Sequence, residues 1–302
     1  MTEYIENTFN YAKRLKEAPI NKVYCCSADA LLWRLPKRSV DVFFFSPPYN
    51  LSDKFRGGNH NRTGVKIQYG LRLTSKGDGT SIPELVYQSQ QQMVLSLCYE
   101  ALKTNGVIFY SHKVRLKNGV AINPGDWIRR SGLFVIQEII WDRSSTAQGD
   151  PRRLHPVYET IYVLAKKPAA VSHLGQPFKL ANSGKRVGGP GYSDVWHIHS
   201  GNNRSVTGHP CATPDEIISR CFNVVPLTKG MLVCDPYCGT GSTGRVARTY
   251  GADYLLCDAD PHWAAYAHDI LTEGKSDGTS EEVPYLLEGR DQTGDSFSEG
   301  EH

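Results

Sequence analysis

The chain has 302 residues, 40% hydrophobic and 22% charged, with a formal net charge of +3. That length can bury one large core, and no apolar run reaches the roughly eighteen residues of a membrane span. The polar opening MTEYIENTFNYAKRLKEAP lacks the apolar centre of a secretory signal, so a cytoplasmic protein with no membrane partner is expected.

In chain order, residues 22–26 form a short apolar run, residues 29–35 a short helix, and residues 39–45 (SVDVFFF) a fully buried strand. Residues 51–80 are glycine-rich and basic and read as a long loop of functional type. Helical spacing covers 83–103 with Leu85, Met93, Leu97 and Leu102 as anchors, and a strand at 107–110 follows a turn at Asn105-Gly106. Strands at 134–141 and 160–165 are joined by a polar, arginine-containing loop. Residues 166–208 are rich in Pro, Gly, Ser and Asn without periodicity and read as a small irregular subdomain. Thr213-Pro214-Asp215-Glu216 predicts a helix start with Thr213 as N-cap, the helix running to about Asn223 with Ile217 and Cys221 on one face. A strand at 231–234, a helix at 242–250, a strand at 254–257 and a helix at 263–271 follow, and then an acidic, Gly/Ser-rich tail expected to be disordered. Such alternation predicts an α/β sheet covered on both faces, with ligands held where loops leave the carboxyl ends of strands.

Charge is unevenly spread. Residues 272–302 carry nine acidic and two basic side chains, a net −7 that leaves +10 on the remainder. Within that body, 51–79 has six basic against two acidic residues and 103–167 eleven against five, a pattern that suits a polyanionic partner. Of the eight cysteines, Cys25 and Cys26 are adjacent, Cys234 and Cys238 are four apart, and Cys98, Cys211, Cys221 and Cys257 stand alone. No Cys-x-x-Cys pair occurs, so buried small thiols are expected rather than a metal or disulfide framework.

Two motifs carry chemistry. Ser46-Pro47-Pro48-Tyr49-Asn50 follows the hydrophobic strand; its prolines lack N–H groups, so their carbonyls are free to accept, and Ser46 adds a hydroxyl and Tyr49 an aromatic face. A planar amine needs that set: acceptors for its hydrogens and a ring against its base. Asp235-Pro236-Tyr237-Cys238-Gly239-Thr240-Gly241-Ser242 lies between a strand and a helix, where glycines let the backbone approach a ligand closely. It lacks the Gly-Lys-Ser/Thr ending of a Walker loop and the third glycine of the dinucleotide fingerprint. Asp258, at the end of the next strand, is placed to bind a ribose diol.

Taken together, DVFFFSPPYN resembles the catalytic signature of the amino-methyltransferases that modify DNA, and VCDPYCGTGSTGRVA their cofactor loop. SADALLWRLP is similar to the family's acidic cofactor segment, with Asp29 and Ala30 in the matching place, and similarity extends over about residues 21–271. Catalytic motif first and cofactor loop last is the circularly permuted order of the beta group. The resemblance implies a Rossmann-like, mostly parallel sheet of class I methyltransferase type and S-adenosylmethionine as cofactor, with no metal. It implies Asp29, Ala30, Asp235, Pro236, Tyr237, Cys238, Gly239, Thr240, Gly241, Ser242 and Asp258 as cofactor contacts. Ser46, Pro47, Pro48 and Tyr49 are the implied catalytic residues, acting on a base flipped out of duplex DNA.

On this reading residues 1–165 are the catalytic half, 166–208 the target-recognition region, 209–271 the cofactor half and 272–302 a tail. Implied partners are double-stranded DNA, a cognate restriction endonuclease and a second copy in a homodimer. Ser in the first motif position goes mostly with cytosine N4 in the resembling family, while Asn50 after the tyrosine is found in adenine N6 enzymes too. An RNA or protein amino-methyltransferase is the more remote alternative. His112, His155, His197 and His209 are read as structural or DNA-contacting, because methyl transfer to an amine needs no strong base.

Overall fold

The computed structural model describes residues 13–50, 83–117, 119–144, 154, 156–168, 193–199, 212–225 and 227–272. Its elements are β1 (Lys22–Cys25), α1 (Ala28–Arg34), β2 (Val40–Phe45), α2 (Glu84–Ala101), β3 (Leu102–His112), β4 (Arg115–Lys117), β5 (Val120–Ile122) and α3 (Gly125–Ile128). After a 3₁₀ turn come β6 (Phe134–Asp142), β7 (Tyr158–Ala165), β8 (Val195–His197), α4 (Asp215–Val224), β9 (Leu232–Asp235), α5 (Ser242–Thr249), β10 (Asp253–Asp258) and α6 (Pro261–Thr272).

Eight strands form one sheet in the order β1-β10-β9-β2-β3-β7-β6-β8. The first five run parallel; β7 is antiparallel to β3 and to β6, and β8 is parallel to β6. β2 sits near the centre, which is why SVDVFFF is apolar without alternation. Phe43 and Phe45 face one core with α1, α2 and α3, while Val42 and Phe44 face another with α4, α5 and α6. Helices therefore cover both faces, as expected for a sheet of this kind. Because β2 leads towards α2 on one face and β9 into α5 on the other, their loops part at adjacent carboxyl ends. A ligand crevice opens at such a divergence.

Several local expectations need correction. Leu85 is 77% exposed. The helix turns about 200° between positions 85 and 87, and the face it buries is that of Tyr87, Gln91, Val94, Leu95, Cys98 and Ala101. Met93 packs at the margin of that core and Leu97 within it, whereas Leu102 opens β3 rather than closing the helix. Asn105-Gly106 is a bulge inside β3, not a turn before it: Val40 pairs with Leu102 and Val42 with Val107. A Cβ at Gly106 would stand 2.7 Å from the Asp41 carbonyl oxygen, so the bulge is built on the missing side chain. Pro214, not Thr213, caps α4, with an extended backbone and no side-chain capping bond. The first turn carries Asp215 and Glu216 against the helix dipole instead, and Ile217 and Cys221 are fully buried as expected.

The hairpin β4–β5 and the short α3 were not anticipated. β8, within the stretch expected to be irregular, extends the main sheet: Val195, Trp196 and His197 pair with Ile140, Trp141 and Asp142. The basic loop 51–80, the segments 169–192 and 200–211, and the tail lie outside the described residues. Some of the positive charge of 103–167 is structural rather than surface. Arg115 pairs with Glu84, Arg143 with Glu159 and Lys103 with Asp41. Seven cysteines among the described residues are buried; Cys211 lies outside the described residues. Among the described residues no helix is long and apolar enough to cross a membrane, and no cluster of three or more His, Cys, Asp or Glu could hold a metal.

Candidate active site

The residues implied as catalytic or cofactor contacts fall together at the carboxyl ends of the parallel strands. Asp235 ends β9, Asp258 ends β10, Asp29 and Ala30 open α1 after β1, and Ser46 follows β2. Parallel pairing places Cys25 beside Asp258, and Cys26 N–H donates to the Asp258 carbonyl at 3.0 Å, which brings α1 alongside the β10 end. The two motifs meet across the crevice, where the rings of Phe45 and Tyr237 lie 5.9 Å apart.

The loop between β9 and α5 is held from below by its own polar groups. Asp235 accepts the Tyr237 N–H at 2.9 Å and the Thr243 hydroxyl at 2.5 Å. Cys238 N–H donates to the Cys257 carbonyl at 2.9 Å, and Gly239 N–H to the Asp258 carboxylate at 2.9 Å. Gly241 caps α5 with φ 75°, a left-handed backbone that side chains resist; Thr240 and Ser242 are buried beside it, their hydroxyls 3.3 Å apart. Burial pushes Asp235 up from 3.8 to about 7, and it also raises Asp258. After burial, the leading influences on both are backbone and hydroxyl donors and neighbouring carboxylates, not basic side chains. Two carboxyl groups at adjacent strand ends, held by backbone and hydroxyl donors, suit a ligand that carries positive charge. The Asp258 carboxylate accepts the Gly239 N–H on one oxygen and the Asp260 N–H on the other, each at 2.9 Å.

Ser46-Pro47-Pro48-Tyr49 is fixed by side chains remote in sequence. The Ser46 and Tyr49 hydroxyls are 2.8 Å apart, and Tyr49 donates to Glu159 of β7 at 2.8 Å. Glu159 is 7% exposed and takes Arg143 Nη1 at 2.6 Å on its other oxygen. Burial, and then the Glu159 charge, push the Tyr49 phenol well above its ordinary range, so it stays protonated. Tyr87 of α2 donates to the Pro48 carbonyl at 2.8 Å and lies 2.7 Å from His112 Nε2. His112 Nδ1 is 2.8 Å from the Lys113 carbonyl, so that nitrogen carries the proton and Nε2 accepts. Burial lowers the His112 imidazole from 6.5 to about 3, which keeps it neutral, and its ring packs 4.5 Å from Tyr49.

Beneath Tyr87, Arg115 forms a two-pronged pair with Glu84 at 2.6 and 2.7 Å and stands 4.4 Å over the Tyr87 ring. Burial opposes ionisation of Glu84, but the Arg115 bonds outweigh it and hold the carboxyl at about 2.

Sequence reasoning missed Glu159, Tyr87 and Arg143 as parts of the site. The available signal was a single carboxylate in the otherwise apolar run YETIYVLA, whose buried positions leave no room for an unpartnered charge. His112 is a buried structural histidine here, and His197 pairs with Asp142 at 2.8 Å on the same edge. His155 and His209 lie outside the described residues.

The chain is similar to known proteins over most of its length. The chain is 25% identical over 276 residues to Type II methyltransferase M2.DpnII of Streptococcus pneumoniae, covering 88% of this chain and 96% of that protein. It is 26% identical over 275 residues to Type II methyltransferase M.BglII of Bacillus subtilis, covering 84% and 69%. Among solved structures, the PvuII DNA methyltransferase (cytosine-N4-specific) superposes with a TM-score of 0.60 at 14% identity, over 87% of this chain and 94% of that one. TTHA0409 of Thermus thermophilus, a DNA modification methylase complexed with S-adenosyl-L-methionine, superposes with a TM-score of 0.55 at 17% identity, over 84% and 96%. The N6_N4_Mtase family model, described as DNA methylase, matches residues 40–269. The chain thus belongs to the N4/N6 DNA methylase family and is an S-adenosylmethionine-dependent DNA methyltransferase.

Proposed function

We propose that this enzyme transfers a methyl group to the exocyclic N4 amine of cytosine in duplex DNA. The observation that carries the reading is the Ser46 hydroxyl directly after β2, fixed 2.8 Å from the Tyr49 hydroxyl, with Phe45 before it packed 5.9 Å from Tyr237 of the β9 loop. Bound at that loop, S-adenosylmethionine supplies an electrophilic methyl group. Asp235, Pro236, Tyr237, Cys238, Gly239, Thr240, Gly241 and Ser242 hold its amino-acid part, Asp258 its ribose, and Asp29 and Ala30 its adenine side.

The protein's own task concerns the acceptor. An exocyclic amine is conjugated with its ring, so its lone pair is poorly available. Ser46 Oγ and the Pro47 carbonyl accept its two hydrogens, favour a tetrahedral nitrogen and aim the lone pair at the donor. Pro48 is kept rigid by Tyr87, and Tyr49 stacks on the base. Inside a duplex the amine could not reach this edge, so the base is flipped out. Ser in the first motif position favours cytosine, and the PvuII enzyme, named as cytosine-N4-specific, shares the fold. Adenine N6 is the second reading, favoured by Asn50 directly after Tyr49.

On the same reading, residues 166–208 contribute to target recognition, a cognate restriction endonuclease and a homodimeric state accompany the enzyme, and it works in the cytoplasm. Mass spectrometry of nucleosides from duplex DNA incubated with the protein and labelled cofactor tests the base. N4-methylcytosine is the expected product, N6-methyladenine reverses the base assignment, and unlabelled DNA refutes the reading.

A further inference from the structure

We infer that Glu159 is a positioning residue and the end of a proton path that starts at the target amine, an inference that rests on the role assigned to Ser46. The argument is a count of hydrogens. Glu159 is buried and bonded to Arg143 at 2.6 Å, which keeps it a carboxylate that only accepts. Tyr49 therefore spends its single proton on Glu159 at 2.8 Å. Ser46, 2.8 Å from the same phenol oxygen, must then donate to it.

The consequence for Ser46 is that its only hydrogen is committed, and what remains for a substrate is lone pairs. A serine hydroxyl is ordinarily ambivalent. Here, a carboxylate 110 residues beyond Tyr49 fixes it as an acceptor, the role that an amine donor requires. The same chain disposes of a proton. When the amine nitrogen gains a methyl group it carries one hydrogen too many. Ser46 Oγ takes that hydrogen as its own passes to the Tyr49 oxygen and the Tyr49 phenolic hydrogen passes to Glu159. The product is a neutral secondary amine, both hydroxyls are restored, and the carboxylate has become a carboxylic acid, which re-ionises beside Arg143.

The test is a double-mutant cycle of E159Q and S46A, read as single-turnover methyl transfer to duplex DNA, with cofactor affinity by calorimetry and unfolding by urea. E159Q is expected to slow transfer about 100-fold, the lower end of general acid–base effects, with cofactor affinity unchanged. E159D is expected to restore part of the rate. In the S46A background E159Q should change the rate less than about twofold, because its effect travels through Ser46. A wild-type rate in E159Q, or the same loss with and without Ser46, overturns the inference. Should E159Q fail to fold, Y49F cuts the same chain in the middle and takes its place in the cycle. A wild-type chain that methylates no duplex DNA refutes the functional reading itself, an outcome distinct from either of these.

Discussion

Replacing Asp235 by Asn should reveal a pH dependence that the wild-type chain conceals. Two deeply buried groups titrate in opposite senses: His112 is pushed down from 6.5 to about 3, and Asp235 up from 3.8 to about 7, both chiefly by burial. Below pH 6.5 the unfolded chain binds a proton at His112 that the folded chain refuses. Stability from this histidine is therefore complete above 6.5 and is lost as pH falls towards about 3. Above 3.8 the unfolded chain releases a proton at Asp235 that the folded chain keeps. Stability at this carboxyl therefore falls as pH rises, levelling off near 7. Each slope is about 1.4 kcal/mol per pH unit inside its window. Between 3.8 and 6.5 the two slopes have opposite signs and nearly cancel.

Asn at position 235 can still accept the Tyr237 N–H and donate to Thr243, so the loop keeps its bonds while the charge is gone. Urea unfolding of D235N and wild type at pH 4 to 8 should give a stability difference that shifts in favour of D235N by about 1.4 kcal/mol per unit up to pH 6.5. H112Q should shift the opposite way over the same interval, and both differences should be flat above pH 7.5. Parallel curves for wild type and either variant would refute the assignment of those protonation states.

Tyr87→Phe removes the hydroxyl that donates to the Pro48 carbonyl at 2.8 Å and lies 2.7 Å from His112 Nε2. Its cost should be that of about one buried bond, roughly 1–3 kcal/mol in urea unfolding, with a slower methyl transfer because Pro48 is released. Gly106→Ala would set a Cβ 2.6 Å from Leu102 Cδ1 and 2.7 Å from the Asp41 backbone, so a loss of about 1–3 kcal/mol is expected by the same measurement. Gly241→Ala meets Ala267 Cβ at 3.0 Å and a φ of 75°; calorimetry should find weaker cofactor binding, which A267G relieves only in part because the backbone angle is unchanged.

Much of the site was legible because its key segments are continuous in sequence. The run 39–45 announces a strand buried on both faces, and glycines after 231–234 announce a turn against a helix N-terminus. Burial of Ile217 and Cys221 followed from spacing alone. What escaped depended on partners far along the chain. Glu159 reaches Tyr49 because β7 runs antiparallel to β3 and so starts at the edge where β2 and β3 end. Nothing within 158–165 indicates that direction. Leu85 misled because apolar character does not report helix phase at the first turn, where a residue can point past the end of the core it was expected to join. β8 was hidden because three residues on a sheet edge carry no period.

The interleaving of strands bears on how the chain is made. Val42 pairs with Val233, so the strand that Ser46 follows lacks one neighbour until that later segment has left the ribosome. At typical synthesis speeds the roughly 190 residues between them take about 10–40 s. Through that interval Val42 and Phe44 lack the β9 side of their core, while β1 waits longer still for β10. Neither half can close its own sheet, since β10 and β9 insert between two strands of the other half. The nascent enzyme therefore stays open, with bare strand edges and without its cofactor loop, and gains activity only when the last strands slot into place.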